Sequence, residues 1–306
     1  MKILVTGTTG FVGSHVALHL ARAGHQVVAT SRDPGKLPAL SRVDGIRQER
    51  LDLGDREGWV ELLDGCQALV HVALGWGDDG PAMLERDTEA SVALFEAARR
   101  AGTRRIVYTS STAANGEMTL SNREDRALRP TDFYGATKAA TEMFARAYAH
   151  VHGMNVHVVR PGYVFGEPAV AGGRSQPDTR FRTLCADILA GRPVRLVRHD
   201  GTQFLHARDL AKVYEALLED PRTFTTHYAL SSRWQSWEGI ARRAMELAGR
   251  QAPLEIEDRG YGKDPFLFEV AAIREDFGLD FDNETRLEEH LGWHLAEAAK
   301  EIHPAD

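Results

Sequence analysis

The run Thr6-Gly7-Thr8-Thr9-Gly10-Phe11-Val12-Gly13 constrains this chain more than any other feature. It follows a short β-rich segment, Lys2–Thr6, and leads into an apolar stretch at helical spacing, Ser14–Ala23. Glycines between strand and helix permit a tight turn and let backbone N–H groups approach a ligand closely. The helix start then offers unpaired N–H groups and the positive end of the helix dipole, which together favour an anion. In that context the loop is expected to hold the diphosphate of a dinucleotide, with Gly7, Thr9, Gly10, Phe11, Val12 and Gly13 around it.

The same alternation of strand and helix continues. Strands are predicted at Gln26–Thr30, Ile46–Arg50, Ala68–Val72, Arg105–Thr109 and Val156–Arg160. Amphipathic stretches such as Ser14–Ala23 and Thr88–Ala101 end near Gly24 and Gly102, a C-terminal glycine signal. Six such units predict an α/β fold, a doubly wound parallel (Rossmann) sheet spanning residues 1–165. Beyond Arg160 the rhythm breaks at the loop Pro161 to Pro177. Helices at Arg180–Ala190, Ala207–Leu218 and Ser236–Ala248 and a strand at Val194–Val197 then predict a smaller C-terminal lobe. Residues 166–306 are mainly that lobe, expected to bind substrate, with 204–219 returning to the sheet.

A formal charge of −7 argues against a nucleic-acid or anionic-membrane partner, since both need a basic face. A small-molecule substrate is expected. The first apolar run, Ile3 to Val5, is too short for a signal peptide, and no window approaches the roughly 20 apolar residues of a membrane span, so a cytoplasmic location is expected. Cys66 and Cys185 are far apart, which suggests neither disulfide nor zinc, and the histidines show no metal-binding spacing.

The end of the second strand reports on the cofactor, because a carboxylate there binds free ribose hydroxyls whereas arginine binds a 2′-phosphate. With Ser31 at the usual acidic position and Arg32 next, NADP is favoured. NAD is admitted if Asp33 takes the acidic role. After the third strand, Asp52-Leu53 has two equal readings, a contact to the adenine ring or a helix N-cap.

Tyr134-Gly135-Ala136-Thr137-Lys138 sets a phenol and an ammonium on one face of a helix predicted from Phe133 to His150. A nearby cation favours the phenolate, which suits Tyr134 to proton transfer. Upstream, Thr109-Ser110-Ser111-Thr112 leaves another predicted strand at the sheet edge where cofactor and substrate meet, and Ser111 offers a hydroxyl to orient the substrate oxygen.

In these motifs the chain resembles the extended short-chain dehydrogenase/reductase family, the NAD(P)-dependent epimerases and dehydratases. The similarity continues through His71-Val72-Ala73, Phe95 to Ala98, Arg160 to Gly166, Gly201-Thr202-Gln203 ahead of Asp209-Leu210, and Leu291-Gly292-Trp293. The resemblance implies Ser111, Tyr134 and Lys138 as a catalytic triad, with Lys138 also holding the nicotinamide ribose. It places Ala73, Leu74, Thr109, Pro161 and Val164 along the cofactor. It also implies a homodimer through the helices Thr88–Ala101 and Phe133–His150. Three positions depart from the family. Tyr163 and Asp87 replace asparagines, and the segment Gly201-Thr202-Gln203-Phe204-Leu205-His206 omits an arginine expected on a substrate diphosphate.

Candidate substrate contacts are Trp76, on a loop expected to be mobile, with Ser111, Thr112, Tyr163, Arg174 and His206. The leading expectation is an NAD(P)-dependent oxidoreductase of epimerase type moving a hydride at a carbinol or carbonyl carbon of a sugar or sugar-like substrate, the epimerase or dehydratase reading being favoured over a plain reductase. The alternatives are an NADPH-dependent aldehyde or ketone reductase acting on a non-nucleotide substrate and, third, a non-catalytic redox sensor.

Overall fold

The computed structural model describes residues 1–302. Seven parallel strands form one sheet: β1 (Lys2–Thr6), β2 (Gln26–Ser31), β3 (Ile46–Arg50), β4 (Ala68–His71), β5 (Arg105–Thr109), β6 (Asn155–Pro161) and β7 (Phe224–Ala229). Their order is β7-β6-β5-β4-β1-β2-β3, with the reversal of direction beside β1. Alternation along each strand feeds two cores. Ile3, Val5, Val27, Val70, Val107 and Val159 face one side, while Leu4, Val28, Leu69, Ile106, Tyr108 and Val158 face the other.

Helices α1 (Phe11–Arg22) and α5 (Ala207–Glu219) cover the first side, packing against each other. On the second lie α2 (Ala90–Arg100) and α3 (Phe133–His152). The α3 helix starts where the Asp132 carboxylate accepts the Gly135 N–H at 2.6 Å and stops at Gly153, whose φ of +62° suits glycine.

The sequence reading expected six strands. The seventh, Phe224-Thr-Thr-His-Tyr-Ala, carries too few apolar residues to stand out, because it is an edge strand paired only with β6. After Arg160 the chain thus returns to the sheet twice, with α5 packed on one face and then with β7 at the edge. The second lobe has its own aromatic core around Phe165, Phe181, Phe204 and Trp237, contributed in part by α4 (Arg180–Ala190), α6 (Trp237–Ala248) and α7 (Glu284–Ile302). Among the described residues no helix is long and apolar enough to cross a membrane.

Two buried polar clusters join these parts. Arg160 on β6 grips Glu142 on α3 through Nε (2.9 Å) and Nη2 (2.6 Å), and Ser110 donates to the same carboxylate. At the lobe junction, Glu167 accepts from His206 and His290. Gln176 donates to His290 and His294 and accepts the Gly166 N–H. Burial would raise the Glu167 pKa, but the hydrogen bonds from His206 and His290 outweigh it and hold the carboxyl well below its usual range.

Candidate active site

The glycine loop is a cradle that side chains would fill. A Cβ on Gly13 would lie 2.3 Å from the Gly7 carbonyl oxygen, and one on Gly10 would lie 3.0 Å from it. Gly7 has φ +71°, and its Cβ position lies 2.9 Å from Ala73 Cα. No side chain caps α1 and no acid occupies its first turn, so its leading N–H groups remain free for an anion.

The turn after β4 is fixed to that loop by a buried relay. The Thr6 hydroxyl accepts the N–H groups of Val72 and Ala73, both at 3.0 Å, which leaves its proton for His71 Nδ1 at 2.8 Å. His71 Nε2–H then donates to Ser91 at 2.9 Å. Burial, with the charge of Lys138 adding to it, pushes the His71 pKa down to about 3, so the ring stays neutral and the relay keeps one direction. The sequence reading did not single out Thr6 or His71 as site residues, although both lie at the carboxyl ends of strands beside the glycine loop.

At the second strand end, Ser31 is the last residue of β2 and its hydroxyl is buried without a partner. Arg32 is exposed, and among the described residues it forms no ion pair. Asp33 instead accepts the Gly35 N–H at 3.1 Å and caps a short turn. In register with Ser31 stands Arg50 at the end of β3, a second cation that sequence reasoning missed because register is a tertiary property. Asp52 is no helix N-cap: its carboxylate accepts the Gly54 N–H, and the next helix begins only at Trp59. Leu53 is half-buried beside it.

The third group converges from β5, α3 and the segment after β4. Ser111 is extended and caps the turn Thr112–Asn115, its hydroxyl accepting the Ala113 N–H at 3.1 Å. A Cβ on Gly135 would meet the Ala113 carbonyl oxygen at 2.4 Å, so the first turn of α3, with Tyr134, lies directly on the turn that Ser111 caps. Lys138 is buried with its Nζ 5.8 Å from the Tyr134 ring centre and 5.3 Å from that of Tyr108. Asp87 lies on a π-helical turn, Leu84–Glu89, and places Oδ2 3.3 Å from Lys138 Nζ. Burial works against the Lys138 charge, but Tyr108 and Asp87 more than offset this and raise its pKa. Thr109 shares its hydroxyl with buried Tyr214 at 2.7 Å.

Trp76 is 61% exposed, with its ring 6.4 Å from Tyr134. Its loop, expected to be mobile, makes three contacts with the segment that follows. Gly75 N–H donates to Asp87, Gly77 N–H lies 3.1 Å from Met83 Sδ, and Arg86 donates to the Trp76 carbonyl. Leu74 is exposed at the start of this loop. Pro161 closes β6, and Val164 pairs with Leu205.

Two expected substrate contacts are engaged by other protein groups. His206 is buried, with one ring nitrogen on Glu167 and the other accepting the Arg208 N–H, so neither is left for a substrate. Tyr163 packs edge-on against Phe204 at 4.8 Å, and its hydroxyl is enclosed without a partner. Arg174 is exposed on the connecting loop. A cavity of about 1060 Å³ opens between α4 and the paired strands Val194–Val197 and Leu254–Glu257. Its four arginines are already matched by lining carboxylates: Arg180 with Asp200, Arg192 with Asp187, Arg195 with Glu255 and Arg259 with Glu257.

Residues 3–230 match the sequence model of the NAD dependent epimerase/dehydratase family. The chain is 29% identical to dihydroflavonol 4-reductase of Zea mays over 78% of its own length and 72% of that protein. It is 29% identical to dTDP-4-dehydro-6-deoxy-D-allose reductase of Streptomyces bikiniensis over 95% of both. Among solved structures, MoeE5 in complex with UDP-glucose and NAD superposes with a TM-score of 0.78 at 26% identity, covering 99% of this chain and all of that one. A phosphate cradle at β1, a hydroxyl and a phenol–ammonium pair at the same sheet edge, and a match across three quarters of the chain agree: this protein belongs to the NAD dependent epimerase/dehydratase family and is an NAD(P)-dependent enzyme of the extended short-chain dehydrogenase type.

Proposed function

We propose that the protein catalyses NADPH-dependent reduction of a carbonyl carbon in a sugar-like substrate lacking a diphosphate, with Tyr134 as proton donor. The observation that carries this reading is the seating of Tyr134 on the Ser111 turn with Lys138 behind it, beside the glycine cradle. The glycine loop at Gly7, Gly10 and Gly13 would hold the cofactor's diphosphate, and the bound nicotinamide would supply the hydride. Ser111 orients the carbonyl oxygen, and the Tyr134 O–H gives that oxygen its proton, leaving a phenolate that water reprotonates. Lys138 stabilises that phenolate. Support for NADP comes from Arg32 at the end of β2, which forms no ion pair among the described residues; Arg50, in register with Ser31 on β3, lies 4.0 Å from Asp52 and 3.8 Å from Asp55. Support for a substrate without a diphosphate comes from the segment Gly201-Thr202-Gln203-Phe204-Leu205-His206, which omits the arginine that the family's pattern places on a substrate diphosphate.

Arg32→Ala is expected to weaken NADPH binding by about 10- to 100-fold, the worth of a charge-assisted bond, with NADH nearly unaffected. Fluorescence titration of both cofactors checks this, and an unchanged NADPH affinity would remove the 2′-phosphate assignment. Steady-state assays of sugar-like ketones and aldehydes against nucleotide sugars test the substrate. Faster turnover of the nucleotide sugars would overturn the reading. A second reading, in which hydride is taken and returned within one turnover, draws on the likeness to a structure holding UDP-glucose and NAD. It predicts product with no net change in cofactor absorbance.

A homodimer through α2 and α3 is part of the proposal, because α3 exposes Met143, Phe144 and Val151 along one side. Phe144→Asp is expected to shift sedimentation from dimer to monomer. A parent protein that sediments as a monomer would refute it.

A further inference from the structure

Asp87 is fully buried and is tied to the site at both oxygens. Oδ1 accepts the Gly75 N–H at 3.2 Å, and Oδ2 faces Lys138 at 3.3 Å with no hydrogen bond of its own. The π-helical turn supplies this placement, bringing both Asp87 and Thr88 inward, with Thr88 donating to the Thr137 carbonyl one residue before Lys138. Other groups around Lys138 are uncharged at neutral pH. Tyr108 on β5 and Tyr214 on α5 are pushed up by burial, and His71 on β4 is kept neutral by burial. Asp132, the other acid near Tyr134, spends its carboxylate on the Gly135 N–H at the α3 cap. The ammonium that Tyr134 faces is therefore matched by one buried anion.

We infer that Asp87 is a positioning residue that holds Lys138 and offsets part of its charge at Tyr134, so that the phenol rests in the protonated form that reduction requires. An unopposed ammonium stabilises a phenolate, the form needed to take a proton from an alcohol. With a carboxylate behind it, the ammonium does so less, and the phenol keeps the proton it must give to a carbonyl oxygen. The inference rests on the reductive reading above but concerns a different residue.

Asp87→Asn keeps the shape and an acceptor for Gly75 while removing the charge. With it, the high-pH loss of reductive kcat/KM is expected to move down by about one pH unit, as is the high-pH gain of the reverse oxidation. In cofactor-free protein, phenolate absorbance titrated as the difference from a Tyr134→Phe background should move in the same direction. Asp87→Ser, also neutral, serves if the asparagine variant does not fold. A titration that stays in place or moves up overturns the inference, as does a uniform drop in rate with an unchanged pH profile, the signature of a merely structural residue. If Tyr134→Phe keeps its activity the reductive reading fails instead, whereas an inactive Tyr134→Phe with an unmoved Asp87→Asn profile removes this inference alone.

Discussion

Tyr134→Phe is expected to lower turnover by about 10²- to 10⁴-fold, the usual worth of a positioned acid or base. The substitution removes one oxygen and leaves the ring, so the Trp76 contact at 6.4 Å and the packing of α3 on the Ser111 turn persist. Cofactor affinity should change by no more than a factor of a few, because the cradle at Gly7, Gly10 and Gly13 is untouched. A loss confined to kcat marks an interaction made in the transition state, while a loss carried by KM would mark Tyr134 as a binding residue only. Turnover within threefold of the parent would remove the mechanism altogether.

Glu142→Ala is expected to destabilise the fold by about 3–5 kcal/mol, because it leaves the Arg160 guanidinium buried without its counter-ion. Both side chains are almost wholly enclosed, at 4% and 2% exposure, and the pair ties α3 to the ends of β5 and β6 through Ser110 and Arg160. Replacing both partners, as Glu142→Leu with Arg160→Met, should recover much of the loss, since apolar side chains carry no desolvation penalty. Chemical denaturation of the single and double variants measures this. A single-variant loss below about 1 kcal/mol would show that water reaches the pair.

Legibility in the sequence followed the range of the interaction. The glycine loop could be read because its demands are local: a strand, a turn and a helix start within a dozen residues. Tyr134 and Lys138 were legible for the same reason, since helical spacing alone puts them on one face. Asp52 was only half legible, because choosing between its readings required knowing that no helix starts until Trp59. His206 and Tyr163, expected as substrate contacts, are both enclosed by protein. Their residue types suit that role, but what encloses them comes from Glu167, Phe204 and Trp237, distant in sequence.

The sequence alone, through periodicity and motif spacing, pointed to the glycine loop, to the strands up to β6 and to Ser111, Tyr134 and Lys138 as candidate site residues. Tertiary structure alone decided three things: that β7 completes the sheet from residues 224–229, that Arg50 stands in register with Ser31, and that Asp87 faces Lys138. The physical reason is common to all three. Each is a pairing between segments far apart in the chain, set by strand register and by how a π-turn rotates one side chain inward, and neither leaves a periodic trace in the residues themselves.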